Sequence, residues 1–134
     1  MNLENIAIKV ESPDFHSVGN VRALLAEIAA LLQKLVDAGE GGAIDLKSLP
    51  FAPGEYEQLR NALGQGELTA HLAAIGPSEI METRFPGVWW LTHCNADGEI
   101  VADLIEVTFL PEILKSQAED MRDGLERLRQ MLHD

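Results

Sequence analysis

The stretch Val88-Trp-Trp-Leu-Thr-His-Cys-Asn95-Ala-Asp-Gly98-Glu-Ile-Val-Ala-Asp-Leu-Ile-Glu-Val-Thr-Phe109 decides the fold. Two runs rich in β-branched and aromatic residues flank Asn95-Ala96-Asp97-Gly98, whose composition suits a type I turn with Gly98 in a left-handed bulge position. The pattern predicts an antiparallel hairpin of Val88 to Asn95 with Glu99 to Phe109. If Asn95 pairs with Glu99 and the ladder runs on without a break, Trp90 lies opposite Leu104 and Trp89 opposite Ile105. In that register His93 and Asp103 share a face at diagonal positions, and Cys94 lies opposite Ile100.

Two further strands precede the hairpin. From Glu67 the period is two, with Leu68, Ala70, Leu72 and Ala74 alternating against Glu67, Thr69, His71 and Ala73. Glu79 to Phe85 follows after Gly76-Pro77, and Pro86-Gly87 closes it. Connections this short imply antiparallel neighbours. The expectation is a four-stranded antiparallel meander.

Helical periodicity flanks the meander. Leu24, Leu25, Ile28, Leu31, Leu32, Leu35 and Val36 form one wide apolar stripe, and Gly39 supplies a C-terminal stop. Pro53 suits the first turn of a shorter helix that turns Tyr56, Leu59 and Leu63 inward and ends at Gly64. Between these helices Ala43 to Leu49 reads as an extended piece. A last helix is predicted from Ser116, where Ser116 and Glu119 have capping-box spacing, with Met121, Leu125, Leu128 and Leu132 as its core face. Ile6 to Val10 is short and β-like. The reading is α+β, one domain over residues 1–134, with residues 1–20 as an N-terminal strand and loop extension and about three helices packed against the sheet.

Composition narrows the function. The chain has 134 residues, and 10 Lys and Arg stand against 22 Asp and Glu, a formal charge of −12. Such a surface repels phosphate backbones and anionic lipid, so no nucleic-acid or membrane-surface role is expected. Apolar residues make up 46% of the chain, enough for a real core. The longest nearly apolar stretch, Ala23 to Leu32, is broken by Glu27 and is too short to span a bilayer. A single cysteine, Cys94, and a start without signal-peptide features point to the cytoplasm.

Chemical motifs are sparse. His93 and Cys94 are the candidates for a metal site, but neighbours on a strand point to opposite faces, and no Cys-x-x-Cys or His-x-x-x-His spacing supports them. A site completed across a symmetric dimer is left open. His93 beside Asp103 would resemble part of a catalytic triad, yet no nucleophile motif such as Gly-x-Ser-x-Gly occurs, and a solvated cross-strand pair is the ordinary reading. Glu79 and Glu82 fall on opposite faces of their strand, whereas Glu82 and Glu106 can line one face. Acid–base work would need a pocket that perturbs them. Trp89 and Trp90 cannot both face one core, so either one indole lies at the surface as a binding anchor, or helices cover one face of the sheet and loops or a twin subunit cover the other. Trp89, Trp90, Glu79, Glu82 and Glu106 are thus the candidate partner-binding residues.

One set of motifs carries more. Gly39-Glu-Gly-Gly-Ala-Ile-Asp-Leu-Lys-Ser-Leu-Pro50, Gly76-Pro-Ser-Glu79, Glu82-Thr83, Gly87-Val-Trp-Trp90, Ile105-Glu-Val107 and Pro111-Glu-Ile-Leu114, in this order and spacing, resemble the hydrogenase expression proteins of the HupH/HyaF type. The resemblance covers roughly Leu24 to Leu132. It implies an accessory protein in nickel-iron hydrogenase assembly that binds the iron-sulfur-bearing small-subunit precursor or other maturation proteins, without enzymatic activity and without a cofactor of its own. It offers no catalytic residue to carry over, and this chain is shorter than typical members. Metal or cofactor handling by His93 and Cys94, and a small hydrolase or ligand-binding module, are the competing readings.

Overall fold

A computed structural model describes residues 19–133; the expected strand at Ile6 to Val10 lies outside them. The elements, in chain order, are helix α1 (Gly19–Ala38), strand β1 (Gly42–Asp45), a 3-10 turn (Leu46–Ser48), helix α2 (Glu55–Leu63), strands β2 (Thr69–Ala74), β3 (Gly76–Glu82), β4 (Val88–Cys94) and β5 (Ile100–Val107), a second 3-10 turn (Glu112–Leu114) and helix α3 (Ala118–His133). The fold is α+β, with three α-helices among the described residues.

The sheet has five strands, in the order β1-β5-β4-β3-β2, all neighbours antiparallel. The expected meander is there, but the piece read as merely extended adds a strand: Gly42 to Asp45 pairs with Val107 to Leu104. Its second half does not stay extended. Asp45 accepts from the Lys47 N–H and winds Leu46 to Ser48 into the 3-10 turn, with Leu46 buried. A four-residue strand joined to a helical turn has no clean period for a sequence to display.

The β4–β5 ladder corrects the expected register. At the turn the expectation holds: the Asn95 N–H donates to the Glu99 carbonyl, Gly98 has φ +85°, and Cys94 faces Ile100. Between Cys94 and His93 the register then shifts by one, and His93 faces Ala102, leaving Val101 as the surplus residue of a β-bulge. Below it Trp90 pairs with Ile105 and Trp89 with Glu106, not with Leu104 and Ile105. Likewise Gly76-Pro77, expected as a separator, lies inside β3, because the β2–β3 hairpin turns at Ile75.

One face of the sheet carries the larger core. Ile44, Ile105, Trp90, Met81, Val88 and Val107 pack against Val21, Leu24, Ile28, Leu31 and Leu35 of α1 and Leu59 and Leu63 of α2. The stripe on α1 is as expected apart from Val36, which is 72% exposed because the buried line runs through Leu31 and Leu35 instead. Gly39 (φ +72°) ends α1 and its N–H donates to Leu35; Gly64 ends α2 in the same manner on Arg60. Helix α2 begins at Glu55, two residues after Pro53, and the buried Glu55 carboxylate accepts from the Ala52 N–H at 2.7 Å. The other face holds a smaller cluster of Ile80, Trp89 and Leu91, with Leu104, Ala70 and Leu114 packed on it.

Helix α3 departs most from expectation. It begins at Ala118, not Ser116, because Lys115 still closes the preceding 3-10 turn, and the first helical bond runs from the Met121 N–H to the Gln117 carbonyl. No residue of α3 is buried. Met121, Leu125, Leu128 and Leu132, assigned to the core by their spacing, are 46–79% exposed, and Met131 joins them at 72%. The spacing is right for an amphipathic helix, but the surface it should cover is not supplied by the described residues.

Candidate functional site

Two regions bring chemistry-bearing side chains together, one on each face of the sheet. On the helix-covered face, beside the first two turns of α2, an open cleft of about 460 Å³ is lined by Tyr56, Glu57, Arg60, His71, Pro77, Ser78, Glu79, Thr92, Cys94 and Ile100. Behind two of these residues, Tyr56 and Thr92, sits a buried carboxylate that both bond. Asp103 is 4% exposed and accepts from Trp90 Nε1 at 2.7 Å, Thr92 Oγ1 at 3.2 Å and the Tyr56 hydroxyl at 2.5 Å. Tyr56 meets Trp90 edge to face at 5.5 Å, and the Arg60 guanidinium lies 4.6 Å from the centroid of the same indole.

The bulge builds this network. It shifts Asp103 onto the face of Trp90 and Thr92, so the expected pairing with His93 does not form. His93 faces the other way, with Nδ1 2.6 Å from Ser78 Oγ. His93 and Cys94 point to opposite faces as alternation requires, and Cys94, half-buried, lines the cleft. Among the described residues no three His, Cys, Asp or Glu side chains are grouped to hold a metal ion. Asp103 already holds three donors, which fix it against Trp90, Thr92 and Tyr56. The one signal for the cleft in the sequence is the Tyr56–Arg60 spacing, four apart on a helix and so on one face.

Burial pushes the Tyr56 hydroxyl up to about 12, with the hydrogen bond to Asp103 and that residue's charge adding and Arg60 opposing. Tyr56 is the chain's single tyrosine, so an ultraviolet absorbance titration reads it alone. We expect a midpoint near pH 12 in the folded protein and near 10 in denaturant. The folded state holds this proton more tightly than the unfolded chain, so its stabilisation is full below about pH 10 and is lost as the pH rises through about 12. A folded-state midpoint at the ordinary tyrosine value would refute the contact. Tyr56→Phe should cost about 1.5–3 kcal/mol in denaturation, the range for a hydrogen bond to a charged group.

The opposite face holds the rest of the expected site residues in a row across three strands. Glu82 pairs with Trp89, and Trp89 with Glu106. Glu82 and Glu106 therefore do share a face, on either side of the Trp89 indole. Glu79, on the other face, lines the cleft and lies 3.8 Å from His71. Burial raises the Glu106 carboxyl above its ordinary range, and the charge of Glu112 adds to this. Of the two readings of the tryptophan pair, the exposed anchor is the one that fails and the covered faces are found: Trp89 is 3% and Trp90 2% exposed, and Trp89 Nε1 donates to the Thr108 carbonyl at 3.1 Å. Residues after β5, Leu114 among them, help cover the second face, a covering the hairpin alone does not reveal.

Residues 18–134 match the conserved C-terminal region of the HupH hydrogenase expression proteins. The chain belongs to this family. A solved HupH hydrogenase expression protein from Thiobacillus denitrificans is 44% identical, superposes with a TM-score of 0.83, and the match covers 87% of this chain and 97% of that one. The hydrogenase expression/formation protein HupH of Rhodobacter capsulatus is 32% identical over 115 residues, 86% of this chain and 42% of the relative. HoxQ of Azotobacter vinelandii, also named a hydrogenase expression/formation protein, is 34% identical over 89 residues, 66% of this chain and 31% of the relative. The match to these curated HupH and HoxQ proteins thus spans only about a third to two fifths of their length.

Proposed function

We propose that this chain acts in hydrogenase maturation as a non-catalytic assembly factor in the cytoplasm, holding the precursor of the iron-sulfur-bearing small subunit or another maturation protein. The hydrogenase expression/formation names of its relatives support the pathway. The observation that carries the binding role is α3, a helix whose five large apolar side chains lie 46–79% exposed along one side. A contiguous apolar stripe left in water is the mark of a surface that awaits another polypeptide. The buried indoles move the contact away from Trp89 and Trp90. Glu82 and Glu106, beside Trp89 on the sheet, remain candidate contacts.

The test is capture of the tagged small-subunit precursor from cells expressing the hydrogenase operon. Wild type should retain it, and the double variant Leu125→Glu/Leu128→Glu should retain at least tenfold less. Both side chains are exposed, so the variant should keep its stability within about 0.5 kcal/mol. Undiminished capture by the folded double variant would remove α3 from the interface; absence of capture by wild type would remove the precursor as partner.

A further inference from the structure

The sheet ends on β2, and nothing among the described residues pairs with its outer side. Pro77 faces Ala73 across the β2–β3 pair. A proline has no N–H to give, so this is a non-bonded pair, and by alternation Thr69, His71 and Ala73 turn their N–H and C=O groups outward. That leaves three donor–acceptor pairs in a row with none of the usual protection: the run Thr69–Ala74 has no lysine, proline or bulge, and five of its six residues are exposed. The other edge, β1, is four residues long and runs straight into a 3-10 turn.

We infer that β2 accepts an extended segment of a partner polypeptide as a sixth, antiparallel strand. The inference rests on the assembly-factor reading for the kind of partner and goes beyond it in the mode of recognition. The added strand would have two unlike sides. On one it meets Leu72, 40% exposed, flanked by Ala70 and Ala74; on the other it runs past His71 into the cleft with Glu57 and Glu79. The fitting segment alternates apolar side chains with lysine or arginine, the latter over the carboxylates. A second copy of this chain fits less well. Two copies bring −12 each to a single seam only about 20 Å long.

Overlapping peptides from the small-subunit precursor are the probe, read by hydrogen exchange at single amides. The expected result is a peptide that slows exchange at Thr69, His71 and Ala73 at least tenfold. Ala73→Pro, which removes an outward N–H at a position where an edge strand tolerates proline, should weaken that peptide tenfold or more. N-methylation at alternate peptide amides should abolish binding in one phase and spare it in the other, and this check does not depend on the variant folding. Capture of the whole precursor with no slowing at these amides would overturn strand addition and leave the assembly role standing. No capture at all would overturn both. Amides already protected in the isolated chain, through a second copy or through residues 1–18, would also overturn it.

Discussion

Trp90→Ala lowers the stability of the folded chain by about 3–5 kcal/mol in denaturant titration, the range for truncating a buried aromatic. The indole is 2% exposed at the centre of the larger core, with Met81 and Ile105 beside it on neighbouring strands. It also joins that core to the cleft, since its Nε1 donates to Asp103 and its ring carries Tyr56 and Arg60. Alanine therefore opens a cavity and removes one of three donors from a buried carboxylate. Trp90→Phe separates the two effects: it keeps most of the volume, and its cost, about 2 kcal/mol, is chiefly that of the lost charged hydrogen bond. A loss below about 1 kcal/mol for the alanine variant would contradict the placement of this side chain.

Gly76→Ala should be the most damaging glycine substitution in the hairpins. Its φ is +79°, and an added Cβ would lie 2.1 Å from the Cys94 carbonyl oxygen. The left-handed conformation alone costs about 1–2 kcal/mol for an alanine. The clash is with backbone, so relief requires prising β3 from the end of β4, and the total should exceed about 3 kcal/mol. Gly98 is the control. It has φ +85° and nothing within 4 Å of the same built atom, so Gly98→Ala pays only the conformational part. Equal losses at the two positions would show that the contact with Cys94 yields easily.

Much of this architecture can be read from residues alone, and the misreadings share a cause. The α1 stripe and the Asn95–Gly98 turn are local, each specified by residues within a few positions of one another, and both stand. The shift at Val101 is not marked, because Ile100, Val101 and Ala102 are apolar without a break and give the alternation no phase to keep. Asp103 consequently reads as a surface partner of His93 although it is the buried acceptor beneath Tyr56. The exposed stripe on α3 is invisible for a different reason. Leu125 and Leu128 have the same spacing whether they cover their own sheet or another molecule's surface, so periodicity locates the helix and leaves its partner unnamed. Trp89 and Trp90 illustrate the converse: alternation sends them to opposite sides, but only the whole chain decides that both sides are roofed.

The surplus residue at position 101 also separates two duties within the hairpin. Because the extra length is taken up inside the ladder, the tip at Ala96–Gly98 does not dictate which side chains reach the indole layer. A change of one residue in the length of that tip can thus be absorbed by a compensating bulge that leaves Asp103 against Trp90 and Thr92.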